Sequence, residues 1–367
     1  MKKRILSLIL AFSLLTTGFL IPALHVSADS SLTPFSPSLE MFEAADGMVG
    51  AFAADASIKV ATMKIKSPVA LMNGKQRNID TANNKVTPII SNGRTMVPLR
   101  FCGDVLGAKT QYISKKDFIT VTLGDKQAKF KIGSKSMQIV DTKSGKVLKK
   151  VTLDAAPLVS NTRTIVPIRA ITEGLGSKVK YQTIGLLEAF VVISSADLSA
   201  QQRTETIYNL QKLNAWTYKN QAGTYQLTYP KGWGVIKETT SGTVSAVAIN
   251  EKHLDSMIET QDVTAAMAKN YVDASKSDIE KAYGTVTGFA KITINGKKAV
   301  LFTCTQIGPA QTTVDGKKAV LSSNQQVSMC VVSSAKSGMV IMLTTIQGAK
   351  APTDQFKTIY NSIKMLK

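Results

Sequence analysis

Hydrophobic and polar positions change rhythm several times along the chain. Residues 5–24 form an almost unbroken apolar run. Leu99, Cys102 and Leu106 then recur at helical spacing, as do Ile168, Ile171 and Leu175. Further on, Tyr225, Leu227 and Tyr229 alternate as in a half-buried strand that Pro230 and Gly232 end. A helix is predicted over 262–283, with Val263, Met267, Tyr271 and Ile279 spaced to face a sheet. Strands are predicted over 290–294, 298–306, 318–322, 326–333 and 338–346, with hairpin dipeptides at Asn295-Gly296 and Asp315-Gly316. A closing helix over 352–365 carries Phe356, Ile359, Tyr360 and Ile363 on one side.

The two helical patterns lie inside a duplication. SNGRTMVPLRFCGDVLGAK, from Ser91 to Lys109, and SNTRTIVPIRAITEGLGSK, from Ser160 to Lys178, share ten of nineteen positions without a gap. Each copy reads as a turn, a short strand and a helix. Asn92-Gly93 is a strong turn signal and Asn161-Thr162 a weaker one. Pro98 and Pro167 stand where a helix begins, and Gly107 and Gly176 where it ends. Tyr112 and Tyr181 are in register, as are Pro88 and Pro157. Cys102 occupies the place of Ile171, which marks it as a small buried apolar residue rather than a reactive thiol.

The repeat resembles the copper amine oxidase N-terminal-like, or stalk, domain, whose typical run is close to NGRTMVPLRFIAEALGA. The resemblance covers about Lys64 to Ser195. The first copy departs from it at Cys102-Gly103-Asp104, while the second keeps the acid as Glu173. It implies a small α/β module without copper. The histidines agree, because amine oxidase chemistry needs three imidazole ligands and this chain has two histidines, His25 in the leader and His253. The later strand, TYPKGW, helix, meander and closing FKTIYNSIK look like the PsbP-like family, from about Trp216 to Lys367. That likeness implies a binding or assembly module with an α/β/α sandwich.

Charge adds a location. Lys2, Lys3 and Arg4, the apolar run and Val26-Ser27-Ala28 read as a secretory signal that predicts a mature start at Asp29; an uncleaved anchor is the alternative. The formal net charge is +20. From Ala61 to Ser195 there are 22 Lys and Arg against 8 Asp and Glu, a net +14, whereas residues 29–56 carry five acids and no base. A basic exported domain is drawn to polyanions through its summed field. In a Gram-positive envelope these are teichoic acids and anionic lipids. Lys115-Lys116 and Lys149-Lys150 are the densest basic pairs, and the bland reading makes them solvated loop charges. A dedicated nucleic-acid role is rejected, because aromatics are only 6% of the chain and do not cluster with the lysines.

Catalytic chemistry finds no anchor. No H-E-x-x-H, G-x-S-x-G, C-x-x-C or P-loop pattern occurs. Glu251, His253, Asp255 and Glu259 read either as a cation site or as an acidic solvated face, the acids sharing one face of a helix. Three cysteines make no disulfide framework; Cys304 and Cys330 fit either a pair or two buried thiols.

The expected class is therefore α+β with two domains: a duplicated small α/β module, then an α/β/α sandwich with an antiparallel sheet. The expected boundaries are a signal peptide at 1–28, an acidic linker at 29–62, the stalk domain at 63–195, a linker at 196–203 and the PsbP-like domain at 204–367. The expected function is a secreted, non-enzymatic envelope protein, without cofactor or catalytic residue, held at anionic wall polymers. A small-ligand carrier or enzyme with a pocket in the C-terminal domain is the alternative. An unidentified protein or small ligand is the further partner, and no transmembrane segment follows signal cleavage.

Overall fold

The computed structural model describes residues 32, 58–113, 118–238, 244–306, 312–314, 317–319, 325–346 and 349–366. The signal, its cleavage site, most of the acidic segment, Lys115, Lys116 and Asp315-Gly316 lie outside them. The chain divides into two compact units. One comprises Ala51–Ile184 and Glu188–Leu210, the other Gly185–Leu187 and Gln211–Lys367, with Leu32 joined to its core.

The N-terminal unit runs β1 (Val60–Lys64), β2 (Val69–Met72), β3 (Lys75–Asn78), β4 (Ile89–Ser91), β5 (Arg94–Pro98), α1 (Leu99–Leu106), β6 (Lys109–Ile113), β7 (Phe118–Leu123), β8 (Lys126–Lys131), β9 (Ser136–Asp141) and β10 (Val147–Thr152). It continues with β11 (Leu158–Ser160), β12 (Arg163–Pro167), α2 (Ile168–Leu175), β13 (Lys178–Ile184), β14 (Glu188–Ser194) and α3 (Ala200–Gln211). The duplication extends well beyond the nineteen residues. Hairpin β4–β5 and α1 repeat as hairpin β11–β12 and α2, and β5 pairs antiparallel with β12, Val97 opposite Val166. The result is a four-stranded sheet, β11-β12-β5-β4, with an approximate twofold through its centre. After α1 the chain builds a five-stranded meander, β10-β9-β8-β7-β6. After α2 it supplies only β13 and β14, and β1, β2 and β3 complete the matching sheet, β13-β14-β1-β2-β3. β14 meets β1 with Val191 opposite Met63, and Lys64 Nζ lies 2.7 Å from the Glu188 carboxylate. The second copy is thus closed by the strands that precede the first.

Local chemistry explains both helices. The two prolines sit one residue earlier than expected, as extended N-cap residues at φ −65° and −62°, closing their strands. Their missing N–H costs nothing at a helix entrance. Gly107 and Gly176 terminate the helices at φ 77° and 66°, where a Cβ would be strained. Leu99, Cys102, Leu106, Ile171 and Leu175 are buried in one core shared by all three sheets.

The C-terminal unit runs β15 (Trp216–Lys219), β16 (Tyr225–Tyr229), β17 (Trp233–Glu238), β18 (Val244–Asn250), β19 (His253–Val263), α4 (Ala265–Asp273), α5 (Lys276–Tyr283), β20 (Val286–Ile294), β21 (Lys297–Gln306), β22 (Thr312–Val314), β23 (Lys317–Ala319), β24 (Gln325–Ser333), β25 (Gly338–Ile346), α6 (Thr353–Asn361) and β26 (Lys364–Met365). Seven strands pair antiparallel in the order β17-β18-β19-β25-β24-β21-β20. One face packs Val300, Phe302, Met329 and Met342 against Ala268, Tyr271 and Ile279 of α4 and α5. On the opposite face Gln355 of α6 accepts from Trp233 Nε1 (2.5 Å) and Asn250 Nδ2 (3.0 Å). Helices therefore cover both faces, and the small sheet β15-β16-β26 completes an α/β/α sandwich.

Three expectations need correction. The helix expected over 262–283 is two helices, because 262–263 end β19 and Ser275 restarts the chain with a capping box to Asp278. Residues 200–203, expected in a linker, begin α3. The closing helix stops at Asn361, and Lys364–Met365 form β26 instead.

Candidate functional site

Lys149 and Lys150 lie on β10, an edge strand, and are neighbours on opposite faces. Lys149 is not a free cation: its Nζ donates to Glu173 Oε2 at 2.5 Å, and this holds the Glu173 carboxyl below its usual range. Arg169, one turn before Glu173 on α2, approaches the same carboxylate at 3.9 Å. In the second copy, then, an arginine, an acid and an edge-strand lysine form a closed triad. Beside it lies a cavity of about 300 Å³, lined by Ile139, Leu148 and Leu175 among others.

The first copy contains the same triad in open form. Arg100 and Asp104 occupy the places of Arg169 and Glu173, and Arg77 stands on edge strand β3 as Lys149 stands on β10. Asp104 is one methylene shorter than glutamate. Among the described residues Arg100 makes no ion pair, and Arg77 donates only to Met72 Sδ at 3.3 Å. Partial burial raises the Asp104 pKa, opposed by the charges of Arg100 and Arg77. A groove of about 760 Å³ opens here. Ile79, Leu99, Phe101 and Ile119 form a buried apolar floor, while Gln76, Arg77, Arg100, Asp104 and Gln111 bring polar groups to its rim. Tyr112 also lines it, with 55% of its surface exposed.

The far wall is the β11–β12 turn, held by residues preceding the first copy. Arg163 Nε donates to Asp80 Oδ2 at 2.5 Å, and that contact depresses the Asp80 carboxyl. Asn161 Nδ2 donates to the Lys85 carbonyl at 2.7 Å, and Asn83 Nδ2 to the Asn161 carbonyl at 2.8 Å. These bonds hold Thr162, a β-branched residue, at φ 63°, where the equivalent position of the first copy has Gly93 at φ 71°. Arg94, the counterpart of Arg163, pairs with Asp154 at 3.1 Å. The pairing is reciprocal, since the acid ahead of each copy holds the arginine of the other. Sequence reading missed these partners, although the identity of Arg94 and Arg163 in the two copies was a usable signal.

The C-terminal candidates lie in strands and in the aromatic core. Trp233, Tyr218, Tyr225 and Tyr229 are fully buried. They pack ring against ring, Trp216 with Tyr229 at 4.9 Å and Tyr229 with Trp233 at 6.3 Å. Burial raises the Glu238 carboxyl, which accepts from Tyr218 Oη at 3.0 Å and Gln221 Nε2 at 3.3 Å. The segment around His253 is a strand, not a helix. Glu251 pairs with Lys212 at 3.5 Å, and Glu259 is wholly buried, accepting from Gln261. The Asp255 side chain lies outside the described residues. Among the described residues no three His, Cys, Asp or Glu side chains group as a metal site. Register settles the cysteines: Cys304 stands opposite Val327, three residues from Cys330, so the two thiols point to opposite faces of the sheet.

No curated protein matches the chain. Among solved structures, a crystal structure from Bacteroides thetaiotaomicron VPI-5482 is similar over 41% of this chain and 48% of its own, at 8% identity and TM-score 0.29. This chain therefore spans about half the length of that one. The solution structure of cyanobacterial PsbP (CyanoP) from Synechocystis sp. PCC 6803 is similar over 42% of this chain and 93% of its own, at 12% identity and TM-score 0.25. At such scores neither likeness carries an argument, and the sandwich rests on its strand pairing. No histidine falls between residues 76 and 184, so copper has no imidazole ligand there. With that donor set excluded, the segment holding both copies, residues 76–184, matches the copper amine oxidase N-terminal domain family.

Proposed function

We propose that this is an exported, non-catalytic protein of a Gram-positive-type envelope whose N-terminal unit adheres to anionic wall polymers and whose C-terminal unit presents a binding surface. One observation carries the reading: the net +14 concentrated between Ala61 and Ser195 behind a leader of secretory type. Lys126, Lys131, Lys135, Lys146 and Lys150 are exposed, so the charge is available to a polymer. Among the described residues no helix is long and apolar enough to cross a membrane. Adhesion then rests on many weak contacts, each screened by salt. Co-sedimentation of the mature chain with purified Gram-positive wall over a salt series tests this. Binding at low salt that falls as salt rises is expected; no binding, or binding indifferent to salt, refutes it.

A further inference from the structure

We propose that the groove beside α1 binds an uncharged saccharide, with Tyr112 as the stacking platform and Arg77, Arg100 and Asp104 as the hydroxyl-recognising set. This goes beyond charge-driven adhesion, because it adds a short-range site of defined geometry to the same unit.

The argument rests on the comparison between the copies. In the second copy the edge-strand lysine hydrogen-bonds the acid and the arginine approaches it at 3.9 Å, and the space beside them is about 300 Å³. In the first copy the same three groups stay open around about 760 Å³, within the range of small-ligand sites. Their polar capacity is mixed. Two guanidiniums donate and one carboxylate accepts, and Gln76 and Gln111 do both. Vicinal hydroxyls need that combination, since each is donor and acceptor at once. For a simple anion the Asp104 carboxylate offsets part of the attraction of Arg77 and Arg100. A cation is opposed by the arginines.

Shape points the same way. The Tyr112 ring, 55% exposed, offers apolar surface to the C–H faces of a sugar, and the buried Ile79, Leu99, Phe101 and Ile119 back the groove with packed core. The wall is rigid. The β11–β12 turn is fixed by Asp80, Asn83 and the Lys85 carbonyl, at the cost of a threonine at positive φ. Such strain persists only where the surroundings over-determine it, and here it borders the groove.

Calorimetric titration of the mature chain with cellotetraose and with chitotetraose tests the site. At least one tetrasaccharide should bind, with affinity changing less than about twofold between about 50 and about 500 mM salt. Tyr112→Ala, an exposed change that leaves the core intact, should weaken binding by roughly tenfold or more. Tyr181→Ala removes the equivalent ring of the other copy, 48% exposed and outside the groove, and should leave binding unchanged. Asp104→Asn should weaken binding by removing a charged acceptor. The proposal falls if neither sugar binds, or if Tyr112→Ala binds as wild type does. It also falls if glycerol phosphate occupies the site and Asp104→Asn strengthens it, which would mark an anion site. Loss of wall adhesion at high salt with saccharide binding intact would separate this site from the charge-driven adhesion.

Discussion

Replacing Gly338 with alanine should unseat α4 from the C-terminal sheet. Gly338 opens β25 opposite Val263. A Cβ there would lie 2.2 Å from Ala268 Cβ, 3.0 Å from Val263 Cγ2 and 3.2 Å from the Thr264 carbonyl oxygen. Carbon atoms settle at about 3.5–4.0 Å, so α4 would have to retreat by roughly 1.5 Å. It is poorly free to do so. Ala268, Tyr271 and Val272 are buried in the core beneath it, and Thr264 caps it by accepting from Met267 N at 3.1 Å. Overpacking costs about 1–3 kcal/mol, and a clash against a helix rather than a mobile side-chain end belongs near the top, at about 3 kcal/mol. Ala268→Gly alone should cost about 1 kcal/mol in helix propensity. Combined with Gly338→Ala it removes the atom at 2.2 Å, so the double variant should be more stable than Gly338→Ala alone. Urea unfolding followed by tryptophan fluorescence is the assay, since both tryptophans, Trp216 and Trp233, lie in this unit. A Gly338→Ala midpoint equivalent to less than about 0.5 kcal/mol would refute the packing, as that is the range of neutral surface changes. A double variant weaker than either single change would refute it equally.

Two further predictions follow from the titratable groups. Burial pushes the Cys304 thiol up to about 11 and Cys330 up to about 12, and raises Cys102 further. Native protein should therefore react with a thiol reagent hardly at all near neutral pH and should titrate all three thiols after denaturation without reductant; a single reactive thiol would reveal a disulfide and refute the register. Asp80 and Glu173 have folded pKa values below their unfolded ones, so their stabilising effect is full above the ordinary carboxylate range and is lost as pH falls through the lowered values. The N-terminal unit should thus weaken below about pH 4, and Asp80→Asn should destabilise it at neutral pH while flattening that acid limb, read by thermal denaturation at successive pH values.

Much of the architecture was legible where it is local. The two helices and their glycine ends announce themselves in nineteen residues, and β25 follows the apolar run over 338–346. Non-local closure was not legible: β1 pairs with β14 across more than a hundred residues, and nothing in either strand names the other. Residues 251–261 misled because β19 is buried on both faces, so Glu259 breaks the polarity that periodicity relies on. The break at Ala274 did carry a signal, since Ser275 and Asp278 have capping-box spacing. As for the groove, sequence register aligned Asp104 with Glu173 and Arg100 with Arg169. Only the folded chain shows that one triad closes and the other stays open.

That difference is the strongest physical reason to look for function in the first copy. The two copies share a helix, its caps, an arginine and an acid, so anything general to the fold should appear in both. Closing the triad bonds Lys149 to Glu173 with Arg169 alongside at 3.9 Å; leaving it open keeps two exposed guanidiniums and a carboxylate at the groove rim. The fold tolerates the closed arrangement, so stability alone does not demand the open one. The strained turn at Thr162 borders the open copy, whereas the other has Gly93 in that place. Arg77, Arg100 and Asp104 are exposed, so water satisfies them in the free protein and they stay available to a ligand's hydroxyls. Glu replacing Asp104 should let the acid reach its neighbouring arginines as Glu173 reaches its own, and should abolish saccharide binding while leaving the fold intact.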